Sequence, residues 1–431
     1  MILNAFLALY RLAWVLLTPL VLVYLWHRGR RDPVYKAHLH ERFGSYAPLP
    51  QNPIWIHAVS LGETRSAVPM ARDLLAAGET IVFTHFTPAG RKEAHRAFGT
   101  EIADGRVASV WVPLDMFWTF SRFFRACRPK IGLSMEIEIW PAMVFAAKKY
   151  GVPFYMCNAQ YPSKSLTRDS GGLRLRQKIM TGFAGAFVKS QLQADRFASI
   201  GVPNIHITGE LRFDQPIAPA LLAAAAATKP LLKGRPVVTI ASAVEGEDDI
   251  YIQAIKDVLA HDPRTLFIYV PRAPERFDDV AKMLISADLP PARRSEMFSE
   301  TLDMAIPGHD WIDGVQVLLG DSLGEMYFYL ALADRVIVGG GFNSHGAHNI
   351  IEPLALAKPV VTGPTTYTIE YPFVEAEAAG VAKSVETGAQ MVELLSGPTW
   401  TTVTDIDAFI AAHSGASART CAAIKAEIER P

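Results

Sequence analysis

A chain of 431 residues has room for two or three domains, and with half of its residues hydrophobic and 20% charged it can bury large cores. A net charge of −1, with no basic domain, argues against a nucleic-acid partner. Cys127, Cys157 and Cys421 are odd in number and far apart, form no metal pattern and fit a reducing compartment.

Residues 2–26 are dominated by Leu, Val, Ala, Trp and Tyr and carry one charge, Arg11. Their length suits a membrane span of ~20 residues. No small-residue cleavage site follows, which speaks against a removable signal peptide. His27-Arg28-Gly29-Arg30-Arg31 comes next, and positive charge there places the rest of the chain in the cytoplasm. Arg11 and Pro19 weigh against a complete span. The alternative is a helix lying in the interface with Trp14 and Trp26 at headgroup level. A buried core helix is disfavoured by the basic residues that flank it.

Residues 36–43 read as a basic helix that Gly44 ends, and Pro48, Pro50 and Pro53 mark a linker. Strands are expected over 54–59, 80–84, 107–113, 131–135, 152–157 and 185–188, with helices over 67–77 and 88–98 between them. An Ala-rich helix over 218–227 connects to a second alternation, with strands over 237–241, 265–270, 315–319, 336–338 and 359–362. Residues 416–430 read as a last helix that packs back on the first half. Alternating strands and helices give an α/β fold of two Rossmann-like halves facing a cleft, and ligands in such sheets bind beyond the carboxyl ends of the strands.

Three stretches of the first half and its border carry candidate chemistry. Glu63 lies in the turn after the first strand, placed to act as a general base toward a hydroxyl or as an ordinary acid at a helix start. Glu136 and Glu138 follow the fourth strand and share a face if the backbone is extended. They either face a ligand or pair with neighbouring bases. Arg212 could meet a phosphate as a bidentate fork, or form a salt bridge with Glu210 or Asp214.

In the second half, Arg272 follows a strand and suits a nucleotide phosphate or base edge. The turns 241–247 and 320–325 offer backbone N–H groups. The stretch 336–353 runs from a β-branched strand through Gly339-Gly340-Gly341 to Asn349, which caps a helix expected over 350–357 with Pro353 in its first turn. Strand, glycine loop and helix start would leave free N–H groups for an anion, most often phosphate; the alternative is a tight turn with no ligand. Glu352 could accept from ribose hydroxyls. Together these turns favour a nucleotide site at one edge of the second sheet. His345 and His348 lack a third metal ligand nearby, and no Asp-x-Asp pair is present, so no metal is implied.

The whole pattern resembles the 3-deoxy-D-manno-octulosonate (Kdo) transferases. The matching residues are Glu41-Arg42-Phe43-Gly44, His57 through Glu63, Met135-Glu136 with Glu138 and Trp140-Pro141, Asn158-Ala159, Leu211 with Phe213-Asp214, Pro271-Arg272 with Pro274 through Phe277, Gly320-Asp321 with Gly324-Glu325, and His345-Gly346 with His348-Asn349 and Glu352-Pro353. The resemblance implies a GT-B fold and an inverting, metal-independent transfer of Kdo from CMP-Kdo to lipid A precursor in lipopolysaccharide core biosynthesis. It implies no cofactor, and a place on the cytoplasmic face of the cell inner membrane. It assigns residues 1–30 to a membrane anchor, 31–217 to acceptor binding, 218–410 to CMP-sugar binding and 411–431 to the returning helix. It gives the general base to Glu63 and transition-state roles to Glu136 and Arg212, the last standing where the family usually has Lys. CMP contacts fall on Pro271, Arg272, Leu323, Gly324, Glu325, Asn349, Ile350, Ile351 and Glu352. Ala243-Val244, Ala273 and Gln160 replace the family's Thr-His, His and Arg. Two other readings accompany these departures: a paralogue using another nucleotide sugar, and a weakly active binding or regulatory homologue.

Overall fold

Runs such as Ile54-Trp55-Ile56 and Val336-Ile337-Val338 are buried throughout, as parallel strands covered by helices on both faces must be. The computed structural model describes residues 2–304 and 314–430. The chain divides into two compact units, one running to Gln215 and resuming at Ser414, the other Pro216–His413.

The first unit holds β1 (Ile54–His57), β2 (Ile81–His85), β3 (Val107–Trp111), β4 (Ile131–Met135), β5 (Phe154–Ala159), β6 (Gly185–Val188) and β7 (Ile205–Ile207). They form a parallel sheet in the order β3-β2-β1-β4-β5-β6-β7. The second unit holds β8 (Val237–Ala243), β9 (Leu266–Pro271), β10 (Ala292–Arg293), β11 (Val317–Leu319), β12 (Arg335–Val338), β13 (Val360–Thr362) and β14 (Ala382–Ser384). Their order is β10-β11-β9-β8-β12-β13-β14, again parallel. The strand order reverses between β1 and β4 in the first sheet and between β8 and β12 in the second, where β10 also lies outside β11 at the edge. A reversal parts the two connecting loops and leaves a crevice at the carboxyl ends.

Packing explains a glycine that strand propensity would not choose. In the first core Trp55 stacks on Phe154 with ring centroids 4.7 Å apart. A Cβ on Gly132 of β4 would stand 2.5 Å from the Trp55 ring, so only glycine lets the two rings meet.

The structure corrects several expected elements. Residues 36–43 are not one helix but two 3-10 turns, Pro33–Lys36 and Leu39–Phe43, parted by His38 at φ 54°. The helix expected over 67–77 begins earlier: α2 spans Leu61–Ala76 and holds Gly62 and Glu63 in its first turn. The helix expected over 350–357 is four residues, Ile351–Leu354. β7, β10 and β14 are additional strands at sheet edges.

α1 (Ile2–Arg31) is the one helix among the described residues long and apolar enough to cross a membrane. It is laid along the first unit. Leu3 and Phe6 pack on the core, Tyr10 Oη donates to Asp115 Oδ2 at 2.6 Å, and Arg11 stands 4.2 Å over the Phe117 ring. Leu9, Leu12, Val15, Leu16, Leu20 and Val23 remain exposed.

Candidate active site

At the reversal of the first sheet, β1 ends and α2 begins. Ser60 caps the helix by accepting from Glu63 N–H at 3.4 Å, and its hydroxyl donates back to Glu63 Oε1 at 2.9 Å. Val59 N–H donates to Glu63 Oε2 at 2.7 Å. Glu63 therefore does hold the helix start, and it does more. Burial, with the nearby Glu138 and Glu136 charges and against those stabilising bonds, pushes its carboxyl up to about 7.

β4 delivers Glu136 and Glu138 to the same place, although not as an extended pair. Glu136 sits at φ 57°, the left-handed region, where its N–H reaches Cys157 O at 2.7 Å. The turn points successive residues differently from a strand, yet both carboxylates lie near enough to Glu63 for their charges to raise it. Burial raises the Glu138 carboxyl, opposed by the Trp140 indole N–H that donates to its Oε2 at 2.9 Å and reinforced by Glu136. Beneath them His57 and His85 are fully buried, and burial holds both imidazoles down to about 3, so they are neutral. His57 Nδ1 meets Thr84 Oγ1 at 3.0 Å and His85 Nδ1 meets Ala58 O at 2.9 Å. Both histidines are therefore neutral hydrogen-bonding groups at the ends of β1 and β2.

Arg212 lies on a 3-10 turn, Leu211–Asp214. Its Nη2 donates to Glu210 Oε2 at 3.0 Å, so the salt bridge to Glu210 is present. Asp214 is engaged elsewhere, accepting from Gly415 N–H and Ser417 N–H at 2.7 and 2.6 Å to cap the C-terminal helix Ala416–Ile428. Lys189, which the sequence did not single out, and Asn158, which it gave only as a family match, complete this cluster. Lys189 Nζ stands 2.7 Å from Glu210 Oε2, and Asn158 Nδ2 donates to Glu210 Oε1 at 2.8 Å.

The second unit overturns the reading of the glycine loop as an open anion cradle. The N–H groups of Gly340 and Phe342 both donate at 2.7 Å to the carboxylate of Glu247, which is fully buried. An internal anion already fills the cradle. The glycines answer to backbone crowding: a Cβ on Gly339 would meet Ser242 O at 2.4 Å, and one on Gly341 would meet Gly363 N at 2.3 Å. Gly340 has φ +91°. The loop after β12 is thus locked against the turn after β8.

Around this locked loop stand the other expected residues. Arg272 is exposed, its N–H donating to Ala243 O at 2.8 Å. The His348 imidazole is lowered to about 4 by burial and by the Arg272 charge, which places the two side chains together. Asn349 Oδ1 accepts from Ile351 N–H at 3.0 Å, and Glu352 lies near Tyr327, whose hydroxyl it helps to raise. Pro271 closes β9 and is buried. Ile350 and Ile351 are buried too, so only their backbone can meet a ligand. Glu325 is spent on Arg294, with Nε and Nη2 at 2.7 and 2.6 Å, and on the Ser322 hydroxyl. Its side chain staples the loop, while Leu323 at 71% exposure and Gly324 at φ +82° form the open tip. His345 Nδ1 is 2.6 Å from Asn343 Oδ1, a hydrogen-bonding role within the loop.

Comparison with solved structures identifies this architecture. A glycosyltransferase from Rickettsia africae superposes with TM-score 0.57 at 14% identity, covering 88% of this chain and 99% of that one. A UDP-GlcNAc 2-epimerase from Neisseria meningitidis bound to UDP-GlcNAc gives TM-score 0.55 at 15% identity, covering 87% and 99%. Both share the GT-B arrangement of two Rossmann-like units. The family model for 3-deoxy-D-manno-octulosonic-acid transferase (kdotransferase) matches residues 37–215. A 3-deoxy-D-manno-octulosonic acid transferase from Bordetella pertussis is 37% identical over 435 residues, 96% of this chain and 98% of that protein. The chain belongs to the Kdo transferase family. A Kdo transferase from Haemophilus influenzae is 32% identical over 358 residues, covering 81% of this chain and 80% of its own.

Not every residue shared with the Kdo transferases touches chemistry. Glu41 accepts from Trp111 N–H at 2.7 Å and pairs with Arg91 at 3.0 Å. Arg42, buried, stacks 4.3 Å from the Trp111 ring and donates to Phe86 O at 3.0 Å. Gly44 has φ +74°, and a Cβ there would stand 2.4 Å from Thr119 O. This motif of the Kdo transferases fastens the N-terminal segment to the first sheet. Gln160, where the resemblance leads one to expect Arg, has its Nε2 buried without a hydrogen-bond partner.

Proposed function

We propose that this chain transfers Kdo from CMP-Kdo to lipid A precursor in lipopolysaccharide core biosynthesis, as an inverting and metal-independent glycosyltransferase. The first unit binds the acceptor and the second binds the CMP-sugar. The carrying observation is Glu63: a carboxylate at a helix start and at the sheet's reversal, poised near 7, where a base is both charged and able to take a proton. Glu63 removes the proton from an acceptor hydroxyl as its oxygen attacks the anomeric carbon. The bond from that carbon to the phosphate oxygen breaks, CMP departs with the electron pair, and the proton stays on Glu63. A single displacement inverts the anomeric centre. Arg212 stabilises negative charge on the departing CMP, and Glu136 supports the developing positive charge at the sugar. Arg272, the Leu323-Gly324 tip, Glu352 and the backbone of Asn349 through Ile351 hold CMP. Guanidinium groups answering the phosphate charge support metal independence.

Membrane attachment falls to α1. With Tyr10 and Arg11 engaged by the first unit, the helix lies in the interface rather than across the bilayer. Its exposed leucine and valine stripe enters the acyl boundary of the inner membrane's cytoplasmic face, and Arg28, Arg30 and Arg31 meet anionic headgroups. The direct test of the site is Glu63→Ala: transfer is lost while CMP binding, followed by calorimetry, persists. Turnover like the parent's in that variant contradicts the assignment.

A further inference from the structure

Glu210 is fully buried and accepts four donors: Lys189 Nζ at 2.7 Å and Arg212 Nη2 at 3.0 Å on Oε2, Asn158 Nδ2 at 2.8 Å and Arg212 N–H at 3.2 Å on Oε1. A carboxylate has about four acceptor sites, so it is saturated. Asn158 in turn accepts from Leu211 N–H through Oδ1 at 3.0 Å, which ties the cluster to the turn that carries Arg212. Asn158 is held at φ 55° to make this reach. The two cations keep the Glu210 carboxyl far below the usual carboxylate range, so it is charged at any working pH.

A buried carboxylate can fix a guanidinium that would otherwise wander on its long side chain. Alone, it would also cancel the charge that a departing phosphate must meet. Lys189, 4% exposed at the end of β6, puts a second cation on the same oxygen. The three side chains of this cluster then sum to one positive charge. Lys189 depends on Glu210, without which it would be a buried charge lacking its partner, whereas Glu210 keeps Arg212 and Asn158 if Lys189 is removed.

We infer that Glu210 is a positioning residue for Arg212, and that Lys189 offsets the Glu210 charge so that the hold on the guanidinium does not neutralise the cluster. This rests on the stabilising role proposed for Arg212. The role for Lys189 and Glu210 differs from a purely structural ion pair, because it concerns turnover of correctly folded enzyme. A structural pair would change melting temperature and leave kcat per folded molecule unchanged.

The test is a double-mutant cycle on the full-length protein, reading kcat and KM for CMP-Kdo beside the melting temperature. Lys189→Gln is expected to lower kcat roughly tenfold or more, with donor KM little changed. Once Glu210→Gln has removed the carboxylate charge, adding Lys189→Gln costs little more, so the double variant matches Glu210→Gln alone. Arg212→Gln serves as reference and is expected to lose turnover. If Arg212→Gln is inactive while Lys189→Gln and Glu210→Gln keep the parent kcat, the positioning role is overturned and the role of Arg212 stands. If Arg212→Gln turns over like the parent, the reading beneath the inference is itself wrong. Should Lys189→Gln fail to fold, Glu210→Gln, nearly isosteric, carries the test alone: lower kcat at constant KM supports the role, and an unchanged kcat refutes it.

Discussion

At neutral pH the Glu63 carboxyl, pushed up to about 7, is divided between its protonated and charged forms. As a general base it works only when charged. kcat/KM is therefore expected to rise with pH through about 7 and then level off, and Glu63→Gln should erase both the step and the activity. A rate that falls over the same interval would assign the residue to acid catalysis instead. The same shift has a stability sign. The folded protein binds this proton more tightly than the unfolded chain, so between the ordinary carboxylate range and about 7 stability falls as pH rises. Urea unfolding at pH 5 and pH 8 should show a smaller difference for Glu63→Gln than for the parent. Glu63 was legible in the sequence as a carboxylate after a strand, but its rise was not. The burial comes from the fold, and the repulsion comes from Glu138 and Glu136, which arrive on another strand. Arg212 shows the opposite case: its salt bridge to Glu210, two residues away, was one of two readings open to inspection, whereas the contribution of Lys189 needed β6 placed beside β7.

Elements, more than single residues, fix the loops of the second unit. The loop after β12 is held by Glu247 from the turn after β8, and the partners are 93 residues apart in sequence. Glu247→Ala leaves two N–H groups without an acceptor, and should cost roughly 3 kcal/mol in urea unfolding together with weaker CMP binding. An unchanged unfolding midpoint would mean that the loop does not depend on this carboxylate. Three glycines in a row announced a turn correctly, but could not reveal that backbone, rather than ligand, crowds them. The strands themselves were readable because β-branched and aromatic runs stay buried on both faces. The edge strands β7, β10 and β14 were not, since two or three residues are too few to show a period. The start of α2 was hidden by Gly62 in its first turn, since glycine disfavours a helical reading.

For the whole molecule, the sequence left a span and an interfacial helix both open for residues 2–26, and the interfacial placement proposed above rests on the Tyr10–Asp115 contact. Replacing two leucines of the exposed stripe, Leu12→Asp with Leu16→Asp, should weaken binding to anionic vesicles by about 3 kcal/mol, roughly a hundredfold, without unfolding the globular units. Undiminished vesicle binding would place membrane attachment elsewhere on the chain. The most direct measurement of the proposed transfer is mass spectrometry of lipid A precursor incubated with CMP-Kdo and either the parent protein or Glu63→Gln. Precursor carrying added Kdo with the parent, and unmodified precursor with the variant, is the expected result. Unmodified precursor with a folded, CMP-binding parent protein would contradict Kdo transfer, and equal modification by both proteins would contradict Glu63 as its base.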